Sequence, residues 1–186
     1  VKVDDGVEII GAGSFSFCDT ITKVILPDSV IEIQNNAFHA CDNLREFKFG
    51  KNIKNIGEGS IEYTAYYNDS NNWSDGVLYI GNYLIASNDL YGEYRVKEGT
   101  CLIGERAFAF SNISKVILPD SVRYINELAF WNCKNLKVIK LNKNLKEIRN
   151  GAFSEVGHVW SLSVAENINI GEFFPFQLDS VKYASI

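Results

Sequence analysis

The stretch Ile33–Phe49, IQNNAFHACDNLREFKF, decides how this chain folds. Shifted by 23 residues, its pattern returns: Phe15 falls on Phe38, Cys18 on Cys41, Ile21 on Leu44 and Phe130 on Phe153. Ile10, Ile33 and Ile56 form a third series, and Leu118 falls on Leu141. The octamer KVILPDSV stands at 23–30 and again, letter for letter, at 115–122, a shift of 92, or four times 23. A fixed period of roughly 20–29 residues marks a stack of like units, not a core of mixed elements.

One unit cannot bury its own apolar residues, but stacked coils put Phe on Phe and Ile on Ile in continuous inner columns. Burial of each such side chain contributes roughly 1.5–3 kcal/mol. The segment ITKVIL ends in an alternating pattern, which predicts a short strand with Val24 and Leu26 inward. Pro27 has no N–H and ends the ladder, and Asp28-Ser29 supply a turn. Strands of successive coils pair in parallel. Asn43, Asn112 and Asn135 each precede a strand's first apolar residue, where a left-handed corner residue is expected.

The period divides the chain into repeats over about 7–30, 31–53, a partial 54–61, then 99–124, 125–147 and 148–170, within a single domain over 1–186. The tail 171–186, GEFFPFQLDSVKYASI, keeps Phe176 in phase with Phe153 and reads as a further coil or a cap. Between the halves lies an island, 62–98, which holds seven of the nine tyrosines and Trp73. Within it Val77-Leu78-Tyr79-Ile80 and Tyr83-Leu84-Ile85 predict a hairpin turning at Gly81-Asn82.

Composition excludes several classes. With 46% hydrophobic and 22% charged residues the chain buries a core. A net charge of −5 with scattered Lys and Arg disfavours nucleic acid, and no apolar run reaches the roughly 18 residues of a membrane span. The chain has no Met and starts inside the periodic pattern, so a piece of a longer, processed protein is expected.

Cys18, Cys41 and Cys133 share a phase whose other occupants are Ser111 and Val156. Such a slot suits small buried thiols, although stacking at about 5 Å also leaves a Cys18–Cys41 disulfide open. No CxxC supports zinc. His39 and His158 are the only histidines, and His39 takes a variable, outward position. Asp69, Asn71, Asp75 and Asp89 offer oxygen ligands of the kind calcium takes, but their spacing fits no EF-hand and reads as a solvated loop. Asn68-Asp69-Ser70 and Asn112-Ile113-Ser114 match NxS, a weak pattern, and no Gly-rich phosphate loop, GxSxG or HExxH is present.

The unit AFxxCxxLxxIxLPxSVxxIG resembles the BspA-like, Treponema-type leucine-rich repeat. Ala37-Phe38, Cys41, Leu44, Phe47 and Phe49 carry the likeness, with KVILPDSV in two repeats and Ala129-Phe130, Cys133, Leu136, Ile139 and Leu141 in another. DGVLYIGNYLIAS is similar to an island found between repeats of that family. The resemblance implies an α/β-class leucine-rich-repeat solenoid, right-handed and β-rich with little helix, carrying a parallel sheet on its concave face and an irregular hairpin island. It also implies a secreted or cell-surface protein that binds a protein or glycan ligand, on a host surface or matrix, with no catalysis, cofactor or metal.

Three functional classes are weighed: an adhesion or protein-binding module, a structural spacer in a larger surface protein, and an enzyme, which no motif supports. A binder needs exposed contact groups that a spacer does not. The outward strand residues supply them: Lys23 and Ile25, Glu46 and Lys48, Glu93 and Arg95, Lys115 and Ile117, Val138 and Lys140, then Ser161 and Ser163. Tyr66 and Trp73 of the island add large, low-entropy contact area.

Overall fold

A computed structural model of the chain describes residues 1–157, 161–163 and 169–170, with side chains over 1–157. It forms two compact units, 1–81 and 82–186. Each is a run of β-solenoid coils with very little helix.

In the first unit the predicted strands Lys23–Ile25 and Glu46–Lys48 pair in parallel, with Val24 opposite Phe47. Val24 is buried and its neighbours Lys23 and Ile25 are not, as alternation requires. A bridge from Lys2 to Ile25 extends the sheet by one position. The Ile series marks a further, two-residue strand in each of these coils. Ile9–Ile10, Glu32–Ile33 and Asn55–Ile56 form a parallel sheet that stacks Ile10, Ile33 and Ile56 in register. The two full coils of this unit therefore contribute to two parallel sheets, and the partial third coil to one.

The second unit repeats this plan. Tyr91–Arg95, Asn112–Ile117, Val138–Lys140 and Ser161–Ser163 form one parallel sheet. Tyr83–Ser87, Leu102–Ile103, Tyr124–Ile125, Glu147–Ile148 and Asn169–Ile170 pair in the other.

Between the sheets runs the aromatic column. Phe15 and Phe38 stack with centroids 5.3 Å apart and planes 8° apart. In the second unit Phe108, Phe130 and Phe153 stack at 4.9 Å and 6° per step. These spacings follow the strand-to-strand distance of about 4.8 Å, so backbone pairing and ring stacking satisfy one geometry.

The turn around each column Phe differs from expectation. Asn43, Asn112 and Asn135 do not adopt left-handed angles. They tie coil to coil instead: Asn43 Nδ2 donates to the Asp19 carbonyl (2.9 Å) and Asn135 Nδ2 to Asn112 Oδ1 (3.1 Å). The left-handed positions lie two residues before and two after the column residue. Asn36 and Ala40 flank Phe38 at φ 58° and 53°, Arg106 and Phe110 flank Phe108 at 54° and 63°, and Leu128 and Asn132 flank Phe130 at 53° and 57°. Alternating backbone hand turns every second N–H toward the next coil. Asn36, Phe38 and Ala40 thus donate to the carbonyls of Glu58, Ser60 and Glu62 at 2.8–2.9 Å. The turn carries its own ladder, and this repays the strain of non-glycine residues in that region.

The island is ordered by local bonds. Thr64 caps the four-residue helix Ala65–Asn68, and Asp69 caps the 3-10 turn Ser70–Asn72. An antiparallel pair joins Trp73–Ser74 to Val77–Ile80 about Asp75 and Gly76 (φ 50° and 74°), one turn earlier than the predicted hairpin. Strands also flank Gly81-Asn82, with Gly81 at φ 58°. Asp69 spends its carboxylate on Asn71, accepting from backbone N at 3.0 Å and Nδ2 at 2.8 Å. Among the described residues no His, Cys, Asp and Glu gather as a metal site, and no helix is long and apolar enough to cross a membrane. The tail 171–186, with Phe176, and His158 lie outside the described residues.

All four cysteines are free. Cys41 and Cys133 fill the inward slot, donating from Sγ to the carbonyls of Phe15 and Phe108 at 3.0 Å. Cys18 is only half-buried, against the expectation of a buried thiol, because its coil is the outermost described in the unit and only Cys41's coil covers its slot. Burial pushes the Cys133 thiol from an ordinary 9.0 up to about 11 and raises Cys41 and Cys101 as well. In the folded chain Cys133 then holds its proton where the unfolded chain has lost it. Stability from this slot is complete below the ordinary thiol pKa and falls as pH rises from about 9 to 11. Titration in denaturant without reductant is expected to count four thiols, and in the native chain Cys18 should react first and Cys133 last. A count below four would establish a disulfide.

Candidate functional site

Lys23, Ile25, Glu46 and Lys48 are all solvent-facing or half-buried on the first unit's strand face, between the inward Val24 and Phe47. In the second unit Glu93, Arg95, Lys115, Ile117, Val138 and Lys140 alternate in the same way with Tyr94, Val116 and Ile139. Ser161 and Ser163 lie in register with Val138 and Lys140.

Pairing sorts these residues into two columns of different chemistry. One column neutralises itself. Lys23 lies opposite Glu46 and binds it at 2.5 Å, and Lys115 lies opposite Glu93 and binds it at 2.7 Å. The hydrogen bond from Lys115, joined by Arg95 at 2.7 Å, holds the Glu93 carboxyl below the usual carboxylate range. Exposed pairs of this kind contribute little stability, about 0–1 kcal/mol each; they set the charge pattern.

The other column is cationic with an aliphatic centre. Ile25 lies between Lys2 and Lys48. Ile117 lies between Arg95 and Lys140. Lys2, Lys48 and Lys140 form no ion pair among the described residues. Each unit therefore presents the sequence basic–Ile–basic across its sheet. Both central residues belong to the duplicated octamer, and the flanking cations come from neighbouring coils.

Tyr66 and Trp73 are half-buried and tied down. Tyr66 donates its hydroxyl to the Tyr79 carbonyl (2.8 Å) and sets its ring edge-on against Phe47. Trp73 Nε1 donates to the Tyr67 carbonyl (2.8 Å), with its ring edge-on to Tyr67. Among the described residues the rings that reach furthest into solvent are others: Phe17 (73% exposed), Tyr91 (69%), Phe110 (58%) and Tyr63 (57%). Three of these occupy the left-handed position after the column residue, Phe17 at φ 59°, Tyr63 at 58° and Phe110 at 63°. Ala40, Asn132 and Glu155 hold the same position elsewhere. A mixed set of residue types leaves no sequence signal for it. His39, expected to face outward as a variable residue, is half-buried between Phe17 and Tyr63.

A family profile for the BspA type leucine-rich repeat region matches six copies over residues 1–91 and 101–186. A search of curated proteins finds no match. Among solved structures, the chain is similar to a leucine-rich cell-surface protein from Faecalibacterium prausnitzii, at 22% identity and TM-score 0.46, over 90% of this chain and 48% of that one. It is also similar to the T. pallidum leucine-rich repeat protein, at 21% identity and TM-score 0.40, over 92% of this chain and 72% of that one. The pneumococcal vaccine antigen PcpA matches at 17% identity and TM-score 0.44, over 80% of this chain and 46% of that one. The chain spans about half the length of the first of these. With the profile covering nearly all of it, the chain belongs to the BspA-type leucine-rich-repeat family.

Proposed function

We propose that the chain is a secreted or surface-displayed, non-catalytic module that adheres to a protein or glycan partner through its outward strand faces. The observation that carries this reading is the basic–Ile–basic column, present in both units, in which Lys2, Lys48 and Lys140 form no ion pair among the described residues and only Arg95 is held, by Glu93, while the adjacent column pairs its charges. A spacer has no use for an aliphatic residue framed by cations on a solvent-facing sheet. A binder uses it as an apolar anchor with flanking charges that select acidic partners and speed encounter. Tyr66 and Trp73 stand in this reading as the rim of the first unit's face, through the parts of their rings that remain exposed.

The test is retention of the purified chain on extracellular matrix laid down by cultured cells, at several salt concentrations. Lys48→Glu with Lys140→Glu is expected to lower retention at least tenfold and to flatten its salt dependence, with an unchanged melting temperature. Unchanged retention in this variant would remove the strand faces from the interaction and favour the spacer reading.

A further inference from the structure

The turn corner of the first unit has a different chemistry from its strand face. Phe17 and Tyr63 stand in solvent on either side of the half-buried His39, with ring centroids 5.9 and 5.1 Å from the imidazole and planes 77° and 81° to it. Ala40, at the position equivalent to the two rings, places no ring between them. At φ 59° and 58° the turn's ladder, with Phe17 N–H donating to the His39 carbonyl at 2.9 Å, offsets the backbone cost, but neither ring is packed away, since both remain mostly exposed.

The turn segments that carry these rings have fixed charge of one sign in sequence. Turn segments 11–20, 34–44 and 57–64 contain carboxylates and no Lys or Arg. Glu62 is half-buried beside Tyr63; burial and the neighbouring Glu58 push its pKa up, and His39 draws it down. A cation arriving at the corner relieves the repulsion between Glu58 and Glu62 and finds two aromatic rings beside it.

The second unit shows what such a corner accepts. There Phe110 sets its ring against Trp131, with centroids 4.7 Å apart. The Arg106 guanidinium lies over the Trp131 ring, 4.7 Å from its centroid. Glu155 accepts from Trp131 Nε1 at 3.3 Å. Arg106 stands two residues before the column Phe; the matching residue of the first unit's middle coil is Asn36. One corner is filled by the chain's own arginine. The other has the rings and the carboxylates without it.

We infer that the corner of Phe17, His39 and Tyr63, with Glu58 and Glu62, binds an arginine side chain on an exposed segment of a partner protein. Arginine suits it better than lysine because the planar, weakly hydrated guanidinium stacks on rings and offers a fork of donors to the carboxylates. The site lies apart from the strand face and prefers the opposite charge, so either reading can fail without the other.

The experiment measures binding of fluorescent, end-blocked Gly-Arg-Gly-Arg-Gly to the whole chain by anisotropy, beside the same peptide with citrulline, its neutral isostere, in place of arginine. The arginine peptide is expected to bind at least tenfold more tightly. Phe17→Asn with Tyr63→Asn should remove at least tenfold of that affinity; Asn is chosen because Asn132 holds this turn position unaided. Glu62→Gln, which leaves the rings in place, should weaken binding severalfold and reduce its salt dependence. Lys48→Glu should not weaken it. Equal binding of the citrulline peptide, or undiminished binding in both the ring and the Glu62 variants, would overturn the inference. Self-association of the parent chain in sedimentation that disappears in the ring variant would also overturn it, giving the corner to a second copy of the chain.

Discussion

Phe130→Ala is expected to cost about 3–5 kcal/mol, the range for emptying a buried aromatic site. Phe130 has no exposed surface and is stacked on both faces, by Phe108 and Phe153, each 4.9 Å away and within 6° of parallel. The neighbours have little room to move in and fill the void, because backbone bonds tie the coils together on both sides of Phe130. The Phe108 N–H donates to Ala129 at 2.8 Å and the Phe130 N–H to Ala152 at 2.7 Å. A solenoid also holds each coil mainly through its two neighbours, so weakening one interface loosens coils on both sides. The measurement is the urea midpoint. A large fall at constant slope is expected, and Phe130→Leu should recover much of it. A midpoint within error of the parent would mean that the column is not what holds the second unit together.

The column was legible in sequence because every coil asks the same thing of it. Phe15, Phe38, Phe108, Phe130 and Phe153 recur in phase since each must stack on the next, and Ile10, Ile33 and Ile56 recur for the same reason. The second sheet was less legible. Its strands are two residues long, as in Glu32–Ile33 and Asn55–Ile56, and one inward residue cannot display alternation. The outward strand residues followed directly from the pleat. Their sorting into a neutral and a cationic column was within reach too, since the repeat offset places Lys23 beside Glu46 and Ile25 beside Lys48. The exposed rings at the turn were out of reach. Phe17, Tyr63 and Phe110 oppose the propensity of their backbone angles, and Ala40, Asn132 and Glu155 fill the same place. Island rings such as Tyr66 and Trp73 drew attention by composition, yet their polar atoms are bonded to carbonyls inside the island. Composition finds aromatic residues and cannot tell a sealing ring from a presented one.

A polar tie should rank next after the aromatic column. Asn142 occupies the place that Pro119 holds one coil earlier, after Leu141 and Leu118 respectively. It is buried, at 6% exposure. Its Nδ2 donates to the Pro119 carbonyl at 2.8 Å and to the Val122 carbonyl at 3.1 Å, while its Oδ1 accepts from the Asn144 N–H at 2.8 Å. One amide thus binds the corner of the preceding coil to the turn of its own. Such bonds contribute about 0.5–1.5 kcal/mol each, and a buried group left without a partner costs more. Asn142→Ala is therefore expected to lower stability by roughly 2–4 kcal/mol. Asn142→Asp should do no better at neutral pH, because a carboxylate cannot donate to the two carbonyls it would face. Asn144 is the control: half-buried, its side chain makes one bond, to the Asp120 carbonyl at 3.0 Å. Asn144→Ala should then cost about 1 kcal/mol or less. Hydrogen exchange separates tie from packing, since only loss of Oδ1 exposes the Asn144 amide. If Asn142→Ala matches Asn144→Ala in urea and leaves that amide protected, the corner is held by its apolar neighbours Leu118 and Val122, and the amide only occupies space.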